Sequence, residues 1–264
     1  MVLPLILLLP FVGVALPLFS QRQGRLAASL AAGLPTLVAF GLLMSLAPTL
    51  FGGELLIASR DWVPALGLTA SLRLDGLGFL FATMTLGIGL LVILYAHFYM
   101  SKEDRLGRFY SYLLLFMGAM LGIVLSENLL LMALFWEITS LSSFLLIGYS
   151  SHDAGARRGA RMALTITGLG GLCLFAGLVM LGQIVGSYEL TDVLASGEQI
   201  VAHDLYLPML VLVLLGAFTK SAQFPFHFWL PNAMKAPRRT RRSMGRYQSW
   251  ATMASPEART SVSS

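Results

Sequence analysis

The chain has almost no means of cross-linking itself. One cysteine, Cys173, among 264 residues excludes an intrachain disulfide framework. Set inside an apolar segment, Cys173 reads as buried packing, because a free cysteine behaves as a small hydrophobe. Charge is scarce too: Asp, Glu, Lys and Arg make up 12% of the residues, against roughly 25% in ordinary soluble domains. Four histidines are scattered without metal-ligand spacing, and no glycine-rich phosphate loop appears. No hydrolytic constellation is visible, so the reading is not an enzyme and needs no cofactor. What fills the chain is hydrocarbon, 56% hydrophobic residues with a mean hydropathy of +0.76, which places it among multi-pass membrane proteins.

A crossing takes roughly 20 apolar residues, and the spans read as 2–19, 27–50, 76–99, 109–126, 128–149, 161–186 and 205–224. The first lacks a basic leading region, and Gln21, Arg22 and Arg25 follow its apolar run, so it reads as a retained helix and not a cleaved signal. Gly52 to Leu74, with Arg60, Asp61, Pro64 and Arg73, reads as a surface loop with short strand-like or interfacial pieces. Basic residues gather on alternate connections: Arg22 and Arg25, then Lys102, Arg105 and Arg108, then Arg157, Arg158 and Arg161. The connection before the last span carries Glu189, Asp192, Glu198 and Asp204 and no base. This bias puts the N-terminus on the extracytoplasmic side. It also explains the net charge of +5 as loop anchors and a basic tail beside anionic lipid, without a nucleic-acid partner.

Two residues break the placement rule. Glu137 lies near the middle of the fifth span and Lys220 inside the seventh; every other acid or base falls in a connection, at a span end or in the tail. A charge in hydrocarbon costs at least ~2.5–3.5 kcal/mol and usually faces a partner, a wet cavity or an ion path. Around Glu137, the small and hydroxyl residues Ala133, Thr139, Ser140, Ser142 and Ser143 suit close packing and hydrogen bonding. Beside Lys220, Gly216 and Ala217 leave room, and Pro225 predicts a helix break near Gln223 to Phe226, followed by a short second half that holds Pro231. The expected fold is thus an all-α membrane protein of about seven transmembrane helices, the seventh interrupted, with a polar C-terminal tail.

A blander account makes Glu137 and Lys220 an ion pair that only staples two helices, although desolvation offsets much of such a pair's attraction. His227 reads as a proton relay or, more simply, as an interfacial histidine. His97, beside Tyr95, Phe98 and Tyr99, reads as part of an aromatic belt, His152 and His203 as solvated loop residues, and Glu127 as a turn residue. Gly168, Gly170, Gly171 and Gly177 read as close helix contacts.

The run from Ser126-Glu127-Asn128 through Phe135-Trp136-Glu137-Ile138-Thr139-Ser140 to Gly148-Tyr149 resembles the fifth helix of the large, A-type subunit of Mrp-type multisubunit cation/proton antiporters. The run Gly216-Ala217-Phe218-Thr219-Lys220 through Gln223-Phe224-Pro225-Phe226-His227-Phe228-Trp229-Leu230-Pro231 to Met234 is similar to that family's broken seventh helix. The wider family includes NADH dehydrogenase subunit 5 of complex I, whose N-terminal module Arg73 to Leu80 resembles. The resemblance implies a Na+ or K+/proton antiporter subunit in the cell (inner) membrane, working with other membrane subunits of its complex. It implies a proton pathway through Glu137 and Lys220, with His227 third. Each member of the pair then sets how readily the other gives up its proton. The chain divides into N-terminal helices and the start of the loop (1–60), a module like the N-terminal region of chain 5 (61–115), the first part of the antiporter domain (116–236) and a non-family tail (237–264). The tail's composition reads as disordered, and its abrupt departure from the family pattern leads to the expectation of a truncation or frame shift. Alternatives are a proton-translocating subunit of NADH:quinone oxidoreductase and a non-transporting remnant.

Overall fold

The computed structural model describes residues 2–101, 104–150 and 152–233. The expected disordered tail, the expected break in family pattern after Ala236, and the loop base Lys102 lie outside those residues.

Backbone immersed in hydrocarbon must satisfy its own hydrogen bonds, so the apolar runs become helices. The first crossing is α1 (Val2–Gly13), α2 (Leu16–Ser20) and a 3-10 turn at Gln21–Gln23; the second is α3 (Arg25–Ser45) with α4 (Ala47–Phe51). Pro17 and Pro48, in the first turns of α2 and α4, lack the N–H that would continue the preceding helix. The loop that follows holds β1 (Leu56–Ala58), β2 (Asp61–Val63), β3 (Leu68–Thr69) and β4 (Leu72–Leu74), as two small antiparallel sheets pairing β1 with β4 and β2 with β3. Then come α5 (Gly76–Tyr99), α6 (Leu106–Leu125), α7 (Leu129–Ile147), α8 (Ala154–Val185), the short α9 (Leu190–Ala195) and α10 (Gly197–Ala202), α11 (Tyr206–Lys220) and, past a 3-10 turn at Phe226–Phe228, α12 (Trp229–Ala233). Asp75, Asn128 and Asp153 cap α5, α7 and α8 through their side chains. Gly186 ends α8 in the left-handed conformation, φ 80°.

Six helical stretches among the described residues are long and apolar enough to cross a membrane, and α11 is a shorter seventh. The fold is the all-α membrane architecture expected, with two departures. Helix α8 begins at Ala154, not at residue 161, because the arginines Arg157, Arg158 and Arg161 are good helix formers and Asp153 supplies a cap ahead of them. At 32 residues it is about 48 Å long at ~1.5 Å per residue, well beyond a hydrocarbon core of ~30 Å. Helix α11 stops at Lys220, so the break covers Ser221 to Pro225, one turn earlier than Phe224. Phe224–Pro225 is a cis peptide.

One core joins α1, α3, α5 and α6 around residues such as Ile6, Leu43, Leu86 and Tyr110; a second, smaller one joins α7 and α8 through Leu129, Ala133, Leu174 and Leu178. Helix α8 lies between α7 and α11 and packs on both. The outward faces are apolar, with Leu91 and Phe98 exposed, as contact with lipid requires.

The two ends are fastened by polar networks. At one, Arg25 donates to the carbonyls of His97, Met100 and Ser101 at 2.8, 2.9 and 2.8 Å, closing the last turn of α5. His97 is therefore more than a belt residue: its Nδ1 pairs with Ser29 Oγ at 2.8 Å, and Ser29 also meets Tyr110 Oη. At the other end Glu127, expected to be a simple turn residue, is buried. Its carboxylate accepts from the Thr191 amide at 2.9 Å and from the Thr191 hydroxyl, and pairs with Arg73 at 3.5 Å. Beside it Glu189 accepts from Ser71 at 2.7 Å, from Asn128 Nδ2 at 2.8 Å and from Thr69. This knot ties β3 and β4, the α6–α7 turn and the α8–α9 connection together. His152 and His203 are exposed, as expected.

Candidate functional site

On a helix, residues three, four and seven apart share a face and the next residue is turned by roughly 100°. Trp136, Thr139 and Ser140 therefore line one face of α7, and Glu137 looks along the neighbouring one. Lys220, the last residue of α11, reaches the first face. Its Nζ donates to Thr139 Oγ1 at 2.6 Å, to Ser140 Oγ at 2.8 Å and to the Trp136 carbonyl at 3.4 Å. An ammonium has three donors, and each has an acceptor here. The Trp136 ring lies 5.5 Å from Nζ and adds a cation–π contact. Thr139 and Ser140 pass their own hydroxyl protons back to the Trp136 carbonyl, which leaves their lone pairs facing the lysine.

Glu137 sits against α8 instead. The Glu137 Oε1 atom is buried and has no hydrogen-bond partner among the described residues. It occupies the place where a side chain at Gly171 would begin, so only glycine fits there. The preceding glycine serves the other neighbour: a Cβ on Gly170 would overlap Thr219 of α11, and Gly216 of α11 abuts the Gly170 carbonyl and Leu174. Gly177 lets Val213 approach in the same way. Gly168, expected to be a close contact, faces open space. Glu137 is also the one ionisable residue lining an apolar groove of about 460 Å³, which runs from Leu66 and Leu68 in the loop past Leu134 and Phe175 to Leu141. Cys173 is free and half-buried on α8.

The break after Lys220 is closed locally. Ser221 bonds the Ala217 carbonyl, Gln223 N–H the Phe218 carbonyl, and the Trp229 indole the Thr219 carbonyl at 3.0 Å. Freed backbone groups in a broken membrane helix need such partners. His227 is exposed and stacks on Phe224 with ring centroids 6.0 Å apart. Pro231 lies within α12.

The fold thus brings Glu137 and Lys220 to adjoining faces of one three-helix unit and leaves His227 aside. The two are not joined as an ion pair; the ion pairs among the described residues are Arg73–Asp75 and Arg73–Glu127. Sequence alone does not assign Thr139, Ser140 and Trp229 to Lys220, since it shows the hydroxyls only as neighbours of Glu137 along α7. The register of Thr139 and Ser140, two and three residues past the glutamate, is the signal available for a second polar face.

Residues 126–241 match the family described as NADH:quinone oxidoreductase/Mrp antiporter, TM, and residues 62–110 match NADH-Ubiquinone oxidoreductase (complex I), chain 5 N-terminus. The chain is 56% identical over 235 residues to the A/B subunit of a probable K(+)/H(+) antiporter of Rhizobium meliloti, covering 89% of this chain and 24% of that protein. To the A1 subunit of a Na(+)/H(+) antiporter of Staphylococcus haemolyticus it is 47% identical, over 76% of this chain and 25% of that one. The chain spans about a quarter of the length of these relatives. Among solved structures, the Mrp complex from Dietzia sp. DQ12-45-1b superposes with a TM-score of 0.77 at 32% identity, over 90% of this chain and 25% of that one. An archaeal membrane-bound sulfane sulfur reductase shares the fold, with a TM-score of 0.74 at 22% identity, over 89% of this chain and 36% of that one. By these matches in sequence and fold, the chain belongs to the NADH:quinone oxidoreductase/Mrp antiporter family of multi-pass membrane proteins.

Proposed function

We propose that this chain forms part of a subunit of a multisubunit monovalent cation/proton antiporter, a transporter and not an enzyme, in which Glu137 and Lys220 carry part of a proton half-channel. The observation that supports it most is the seat of Lys220. An ammonium at the end of a broken membrane helix is held by two neutral hydroxyls and a carbonyl of α7, with a carboxylate on the adjoining face of α7 that no ion pair among the described residues neutralises. A buried pair built only to staple helices would be closed, since each charge alone is costly. An open pair has two arrangements available to it, lysine on the hydroxyls or lysine drawn toward the carboxylate. Because each group's proton affinity depends on the other's charge, passage between these arrangements takes up and releases a proton.

The other subunits of the complex, protons and Na+ or K+ are the partners this reading requires, and the basic connections support an extracytoplasmic N-terminus. His227 stands as an accessory position at the break. The match of residues 62–110 to the chain 5 N-terminus favours a second reading, a membrane subunit of an NADH:quinone oxidoreductase, which predicts co-purification with redox subunits.

The test is cation-driven proton movement in everted vesicles from antiporter-deficient cells carrying the complex. Glu137→Gln and Lys220→Met each remove one titration and keep the size of the side chain. Each is expected to lower exchange to background at unchanged membrane abundance. Wild-type exchange in both variants overturns the assignment.

A further inference from the structure

The short helix after the break is tied to the rest of the fold at both ends. At its far end, α12 lies on the first turns of α8, where Gly159 leaves room for the Asn232 carbonyl; a Cβ there would press into that carbonyl. At its near end, the Trp229 indole N–H donates to the Thr219 carbonyl at 3.0 Å, ten residues back along the chain. Thr219 is itself fixed: it is buried, its hydroxyl donates to the Gly216 carbonyl at 2.8 Å, and its side chain fills the space at Gly170. The peptide that Trp229 holds is the one that leads directly into Lys220.

We infer that Trp229 is a positioning residue for Lys220: α12, seated on α8 at Gly159, aims the indole at the Thr219 carbonyl and so fixes the turn from which Lys220 reaches Thr139 and Ser140. The inference rests on the proton-pathway reading of Glu137 and Lys220. Without the indole donor the Thr219 carbonyl is left to compete for another partner in a segment that has few. The last turn of α11 then relaxes, and Lys220 loses its fixed distance to the hydroxyls. The charged group that acts on Lys220 is Glu137 on α7; His227 is exposed in the break, the charged residues of α8 are Arg157, Arg158 and Arg161 in its first turns, and α12 has no ionisable side chain.

The experiment measures exchange against pH in the same everted vesicles, for Trp229→Phe, Gly159→Ala, the double variant and Lys220→Met. Trp229→Phe keeps an aromatic ring and removes the donor; Gly159→Ala displaces α12 from a distance and reads the same linkage if the first variant does not accumulate. The pH of half-maximal exchange is expected to move by about half a unit or more in each single variant, the scale on which one lost hydrogen bond appears as a change in proton affinity. The double variant is expected to move no further than the larger single shift. A wild-type pH profile for Trp229→Phe and Gly159→Ala, with Lys220→Met inactive, overturns the inference and leaves the role of the pair standing. Wild-type exchange in Lys220→Met overturns the role of the pair itself.

Discussion

Gly171 has no chemistry of its own, yet it decides where a carboxylate sits. The Glu137 Oε1 atom fills the volume that any larger residue at 171 would need. Gly171→Ala is therefore expected to push Glu137 off α8 and to reduce exchange by roughly tenfold or more, the scale of a ~1.4 kcal/mol misplacement. Shortening the acid in the same protein, Gly171→Ala with Glu137→Asp, is expected to recover part of that loss, because one methylene is withdrawn where one methyl was added. Gly168→Ala, at an open position three residues earlier, is expected to behave as wild type. Equal exchange in Gly168→Ala and Gly171→Ala would remove the argument. The acid and the base are visible in the sequence, since an ionisable residue in an apolar run is costly and has to be accounted for. That one of two adjacent glycines admits Glu137 and the other Thr219 is not, because it depends on which neighbour each face of α8 meets.

Helix ends are legible where a side chain does the capping. Asp75, Asn128 and Asp153 stand one residue before α5, α7 and α8, and Pro225 announces the interruption of α11. Asn128 does more than a cap requires. Its Oδ1 accepts from the amides of Leu130 and Leu131 at 3.0 and 3.1 Å while its Nδ2 donates to the Gly67 carbonyl and to Glu189. Asn128→Ala is expected to cost about 1 kcal/mol for the cap, and more for the orphaned Glu189 and Gly67 oxygens. The midpoint of thermal unfolding in detergent should fall accordingly, and an unchanged midpoint would mean that the cap is not used. The start of α8 is harder to read, because arginines suggest the water boundary whereas helix propensity carries the backbone through them. The Arg73–Glu127 pair is not legible: those residues lie on β4 and in the α6–α7 turn, and no local pattern links positions brought together by tertiary packing.

For the whole molecule, orientation is the property that the basic connections predict most directly. In a protein with Cys173 replaced by serine, single cysteines at Ser187 and at Arg22 are expected to react with an impermeant thiol reagent from opposite sides, Ser187 from outside the intact cell and Arg22 only after permeabilisation. Labelling of both from one side contradicts the seven-span reading. The knot of Arg73, Glu127, Asn128 and Glu189 has a mechanical consequence. It laces α7 to α8 at one end through their connections, whereas α11 meets α8 chiefly along apolar and glycine faces. Helix α8 is thus a spine held to α7 by the knot and to α11 by interlocked glycines, so any working stroke would fall to the lysine side chain and not to the helix that bears it. Spin labels on α7 and α8, and likewise on α8 and α11, should then keep one separation through a turnover, and two separations for either pair would contradict the spine.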